Sequence, residues 1–69
     1  MRKSFRYTNS YGIHKELVVG DKVGNKYPVT LWSLDTGDYC GRGDMTAQEL
    51  NDYLEHFGIK ERIENENEI

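Results

Sequence analysis

Asp35-Thr36-Gly37 is where the residue types of this 69-residue chain first allow chemistry. Hydrolysis by aspartates needs two such carboxylates facing each other across a substrate cleft, so that they share a proton. One triplet per chain would demand a homodimer. The glycine has a simpler use, because a three-residue hairpin loop wants its last residue in the left-handed region. Asp38 and Asp44 also fall at turn or cap positions, where aspartate bonds to the nearby backbone. Cys40 is the one thiol, and His14 and His56 are the two imidazoles. None of these three has a neighbour at metal-ligand spacing, and no sequence signal supplies Cys40 with an orienting triad. Arg42-Gly43-Asp44 is an adhesion triplet only in an extracellular protein. Here its glycines read as a turn between a strand and a helix. No catalytic residue, metal or cofactor is expected, and the chain reads as a non-enzyme.

Length and composition narrow the classes further. A chain this short makes one domain and buries only about 60% of its unfolded surface. Small domains commonly add a staple, and a single cysteine excludes an internal disulfide. Oligomerisation is the staple left, so a homodimer through an open sheet face enters the expectations. An unpaired thiol suits a reducing compartment. The start, MRKSFRYTNS, has no apolar core of a signal peptide, and no apolar run approaches a membrane span. The expected location is the cytoplasm. Net charge is −3 and unevenly spread: residues 1–34 carry six basic side chains against two acidic, residues 35–69 three against ten.

The elements that must position these residues follow from periodicity. KSFRYTN alternates with Phe5 and Tyr7 on one face, and GIHKELVV places Ile13, Leu17 and Val19 together. GDKVGNK is a loop. YPVTLWSL is the strongest strand, with Val29 and Leu31 on one face and Trp32 and Leu34 on the other. A shorter strand is expected over Tyr39–Arg42. Thr46 and Glu49 form a capping box, Met45 and Leu50 a hydrophobic staple, and Leu50, Tyr53, Leu54 and Phe57 a helical stripe that Gly58 ends. These spacings predict a helix over 46–57. The fold expected is α+β: a small antiparallel sheet of three to four strands in ββββα order, with one C-terminal helix on one face. The domain spans 1–60, and 61–69 reads as an acidic, flexible tail.

Two kinds of partner are open to such a surface. Arg2, Lys3, Phe5, Arg6 and Tyr7 interleave charge with rings, as sheets that stack single-stranded nucleic acid do. The acidic balance of the whole chain works against that reading. Aromatic residues are also enriched at protein interfaces, and five Tyr and one Trp are many for so short a chain. A protein partner is therefore preferred, with Trp32, Tyr7, Tyr11 and the acidic helix positions Asp52 and Glu55 as the contact residues.

The helix segment GDMTAQELNDYLEHFGI, the acidic balance and the Asn/Glu-rich end resemble the texture of small phage and mobile-element proteins of low-GC Gram-positive bacteria. That resemblance implies a modulator or inhibitor that binds a host protein.

Overall fold

The computed structural model describes residues 2–63; the acidic positions 64–69 of the expected tail lie outside them. Four strands, β1 (Lys3–Thr8), β2 (His14–Val19), β3 (Tyr27–Ser33) and β4 (Tyr39–Met45), precede one helix, α1 (Ala47–His56). The strands form an antiparallel meander in the order β1-β2-β3-β4. The architecture is the ββββα α+β domain that the sequence patterning predicts.

Alternation decides the two faces. Phe5 stands opposite Leu17, and Leu17 opposite Leu31. Val19 likewise stands opposite Val29. These odd-numbered residues form the face beneath the helix, where Phe5, Leu17 and Val19 are buried. Leu50 and Leu54 of α1 are 0% exposed in the same cluster. Burying a side chain of this kind contributes about 1.5–3 kcal/mol, so these few residues hold the sheet and helix together. The even-numbered residues, among them Arg6, Glu16, Val18, Thr30 and Trp32, form the opposite face, which no described element covers.

The helix ends are built as the sequence implies. Thr46 Oγ1 accepts from the Glu49 N–H at 3.2 Å, and Glu49 Oε1 accepts from the Thr46 N–H at 2.8 Å. At the other end Gly58 takes φ +74. The Ile59 N–H then reaches the Leu54 carbonyl at 2.9 Å, and the Gly58 N–H reaches Glu55 at 3.0 Å. This pair of bonds is a Schellman ending.

Three expectations are corrected. β4 does not stop at Arg42 but runs to Met45, so Arg42-Gly43-Asp44 is extended edge strand and not a turn. Gly43 pairs with Val29 and lacks a positive φ, so the ladder holds the backbone straight there. The β3–β4 loop is closed by the Ser33 N–H on the Asp38 carbonyl at 2.9 Å, which makes it longer than the Asp35–Gly37 loop expected. Gly37 does adopt the left-handed conformation, at φ +77. Finally, the domain does not end at residue 60. Ile63 is 8% exposed within the core cluster, so the first residues of the expected flexible tail belong to the packed domain.

Candidate functional site

The strand register aligns one residue from every strand into a row across the open face. Arg6 faces Glu16, Glu16 faces Trp32, and Trp32 faces Tyr39. A register shift between Leu31 and Trp32 makes the last pairing, because Leu31 faces Gly41 while Trp32 faces Tyr39. Such a bulge re-aims a side chain at a sheet edge. The Trp32 and Tyr39 rings meet edge to face, with centroids 5.4 Å apart and planes at 69°. The Trp32 indole N–H donates to Thr30 Oγ1 at 3.2 Å, which fixes the ring over the sheet. Arg6 Nε lies 3.4 Å from Glu16 Oε2.

This pair is exposed. Trp32 keeps 37% and Tyr39 52% of their surface accessible. Tyr11, Ile13 and Leu34 are exposed too, and the register puts their loops at the same end of the sheet as Trp32 and Tyr39.

The expected partner residues do not form one surface. Trp32 lies on the open face and Tyr11 at the tip of the β1–β2 loop. Asp52 and Glu55 are exposed positions on α1, across the domain from Trp32. Tyr7 lies under the helix. Its ring stacks on Phe57 at 4.1 Å and its hydroxyl shares a short hydrogen bond with the Tyr53 hydroxyl. Burial, then the bond to Tyr7, pushes the Tyr53 phenol well above the usual tyrosine range.

The expected nucleic-acid set is likewise divided. Phe5 is 2% exposed and cannot stack a base. Tyr7 is occupied by Phe57, and Lys3 lies over the Phe5 ring at 5.7 Å on the helix side. Of the strand residues in this set only Arg6 is on the open face, beside Glu16; Arg2 is exposed ahead of β1. Alternation within β1 causes the split, because Phe5 and Tyr7 point to the core and Arg6 points away.

A polar tie joins a loop to a strand of the sheet. Asp35 accepts the His14 backbone N–H at 3.0 Å and lies 3.2 Å from His14 Nδ1, tying the β3–β4 loop to the start of β2. These residues are 21 apart in sequence, so no local spacing predicts the tie. Cys40 is exposed, because Gly41 takes the place opposite Leu31. Its sulfur lies 3.4 Å from Lys15 Nζ. Among the described residues no three His, Cys, Asp or Glu side chains gather as metal ligands. No helix among them is long and apolar enough to cross a membrane.

No family model matches the chain, and neither a curated protein nor a solved structure is significantly similar to it.

Proposed function

We propose that this chain is a small non-enzymatic protein-binding module whose open sheet face, centred on Trp32 and Tyr39, docks on a partner protein. The observation that carries the reading is the exposed edge-to-face pair of Trp32 and Tyr39 on a sheet face that no described element covers. Two large rings held in place by a bulge and an indole hydrogen bond lose little side-chain freedom on docking. Tryptophan and tyrosine are the residues that most often dominate interface energetics for this reason. The ion pair of Arg6 and Glu16 gives the same row a polar border. The texture shared with small phage proteins agrees with a host protein as the partner.

The test is affinity capture from a low-GC Gram-positive lysate treated with nuclease. Wild type is compared with the Trp32→Ala/Tyr39→Ala double variant. The reading predicts one dominant protein on wild type and its loss on the variant. Equal recovery on both baits contradicts it. Recovery that depends on nucleic acid would favour contact through Arg2 and Arg6.

A further inference from the structure

We propose that two copies of this chain pair through β4, antiparallel and centred on Gly43, so that their two four-stranded sheets become one. β4 ends the sheet, and no other described strand pairs with its outer edge. The direction of its backbone groups follows from bonds further in. The Ser33 N–H donates to Asp38, so odd residues of β3 face β4; the Gly20 N–H donates to the Pro28 carbonyl, so even residues face β2. Val29 therefore exchanges bonds with its partner Gly43, and Leu31 with Gly41. The N–H and C=O groups of Arg42 and Asp44 are left pointing outward. A row of outward groups on an edge strand is a template for another strand.

The sequence of that edge fixes the register. Arg42 and Asp44 are exposed and share the open face, with Thr30 and Pro28 as their respective neighbours on β3. Centring a symmetric pair on Arg42 or on Asp44 would place like charges directly opposite each other, which is destabilising. Centring it on Gly43 places Arg42 opposite Asp44 of the second copy, twice over. Both pairs then exchange their outward backbone bonds. A two-fold contact needs a surface that complements itself, and Arg-Gly-Asp does so when read against its own reverse.

Two further observations fit this centre. An added Cβ at Gly43 meets nothing within 4 Å and its φ is not positive. The single chain therefore gives no reason for glycine inside a strand, whereas close approach of a second backbone does. The same register sets Met45 of the second copy opposite Gly41. There an apolar groove of about 250 Å³ lies between Tyr53 and the sheet, floored by Leu17, Val29 and Leu31. Methionine fills irregular apolar gaps well. The two-fold axis stands perpendicular to the sheet, so both Trp32–Tyr39 faces lie on one side of the dimer.

The test is sedimentation equilibrium of the full chain from about 10 μM to about 1 mM, a range that reaches weak association. Wild type, Arg42→Asp, Asp44→Arg and an equimolar mixture of the two variants are compared, with circular dichroism confirming that each is folded. Wild type is expected to reach twice the mass of the chain. Each variant alone should associate about tenfold more weakly or worse, since both charge pairs become repulsive. The mixture should recover the dimer, because an acidic edge then meets a basic one. In wild type, the Arg42 and Asp44 amides should also gain exchange protection as concentration rises. A wild-type chain that stays monomeric throughout overturns the proposal. Single variants that dimerise as well as wild type do so too, as does a mixture no stronger than its components or protection that appears on β1 instead.

Discussion

Asn51 grips the backbone of Ile63 from both sides. Its Oδ1 accepts the Ile63 N–H at 2.8 Å and its Nδ2 donates to the Ile63 carbonyl at 3.1 Å. The amide thus acts as a substitute strand partner for a segment that has none, and it delivers the Ile63 side chain to the core beside Leu50 and Leu54. Asn51→Ala should cost about 1–3 kcal/mol, the range for losing hydrogen bonds that leave polar groups unpaired. Ile63→Ala should cost about 2–5 kcal/mol. Urea unfolding of both variants checks this, and a midpoint unchanged in either would place Ile63 outside the cooperative unit.

Phe5 and Trp32 should respond in opposite ways to truncation. Phe5 is at the centre of the core, and Phe5→Ala should cost about 3–5 kcal/mol. At roughly 0.05–0.15 kcal/mol per residue, the whole domain holds only about 3–10 kcal/mol. That variant should therefore lose a large share of its stability, read by circular dichroism as a steep fall in thermal midpoint. Trp32→Ala removes an edge-to-face contact of about 0.5–1.5 kcal/mol together with the part of the ring that rests on the sheet, and should cost clearly less than Phe5→Ala. Its thermal transition should remain cooperative. Equal losses would mean that Trp32 is a folding residue and not a contact residue.

The helix ends make a second stability contrast. Thr46→Ala removes the acceptor for the Glu49 N–H and should cost about 0.5–2 kcal/mol. Gly58→Ala meets no atom within 4 Å of its new Cβ, so only the positive φ opposes it. That backbone term is about 1–2 kcal/mol. Denaturant midpoints should fall in both variants, and the two losses should add, because the sites lie at opposite ends of α1.

Alkali should destabilise this domain through Tyr53. Its phenol ionises above the ordinary value of 10.0 in the folded state, because burial and the bond to Tyr7 favour the neutral form. The unfolded state gives up that proton first. Stability is therefore fully present below about pH 10 and falls as pH rises towards the folded-state value. Tyr53→Phe removes this source of the fall. Unfolding midpoints measured at pH 8 and above pH 10 should converge in Tyr53→Phe relative to wild type; an equally steep loss in both would assign the alkaline sensitivity elsewhere.

The helix was fully legible because its signals are local: a capping box, a stripe and a glycine stop all lie within fourteen consecutive positions from Met45 to Gly58. β4 was legible only in part, because Gly41 and Gly43 look like turn residues until their pairing with Leu31 and Val29 is known. Tyr7 carries the plainest lesson. Its alternation with Phe5 places it on the core face, although its ring type alone suits a surface contact equally well. The ties of Asn51 to Ile63 and of His14 to Asp35 depend on non-local contacts that no spacing rule anticipates. Alternation in β3 places Trp32 on the face opposite to Val29 and Leu31, but which of those two faces the helix covers is set by packing that no spacing shows, and its partner Tyr39 depends on a bulge that the sequence does not announce.

Site-directed photo-crosslinking tests the protein-binding reading most directly. A photoreactive phenylalanine derivative is placed at Tyr39 in one sample and at Glu55, on the far side of the domain, in another. Both are irradiated in nuclease-treated lysate. An open-face binder predicts a discrete adduct with a second, different protein from position 39 and none from position 55. An adduct from position 55 alone, or from neither position, would contradict the assignment of partner binding to Trp32 and Tyr39.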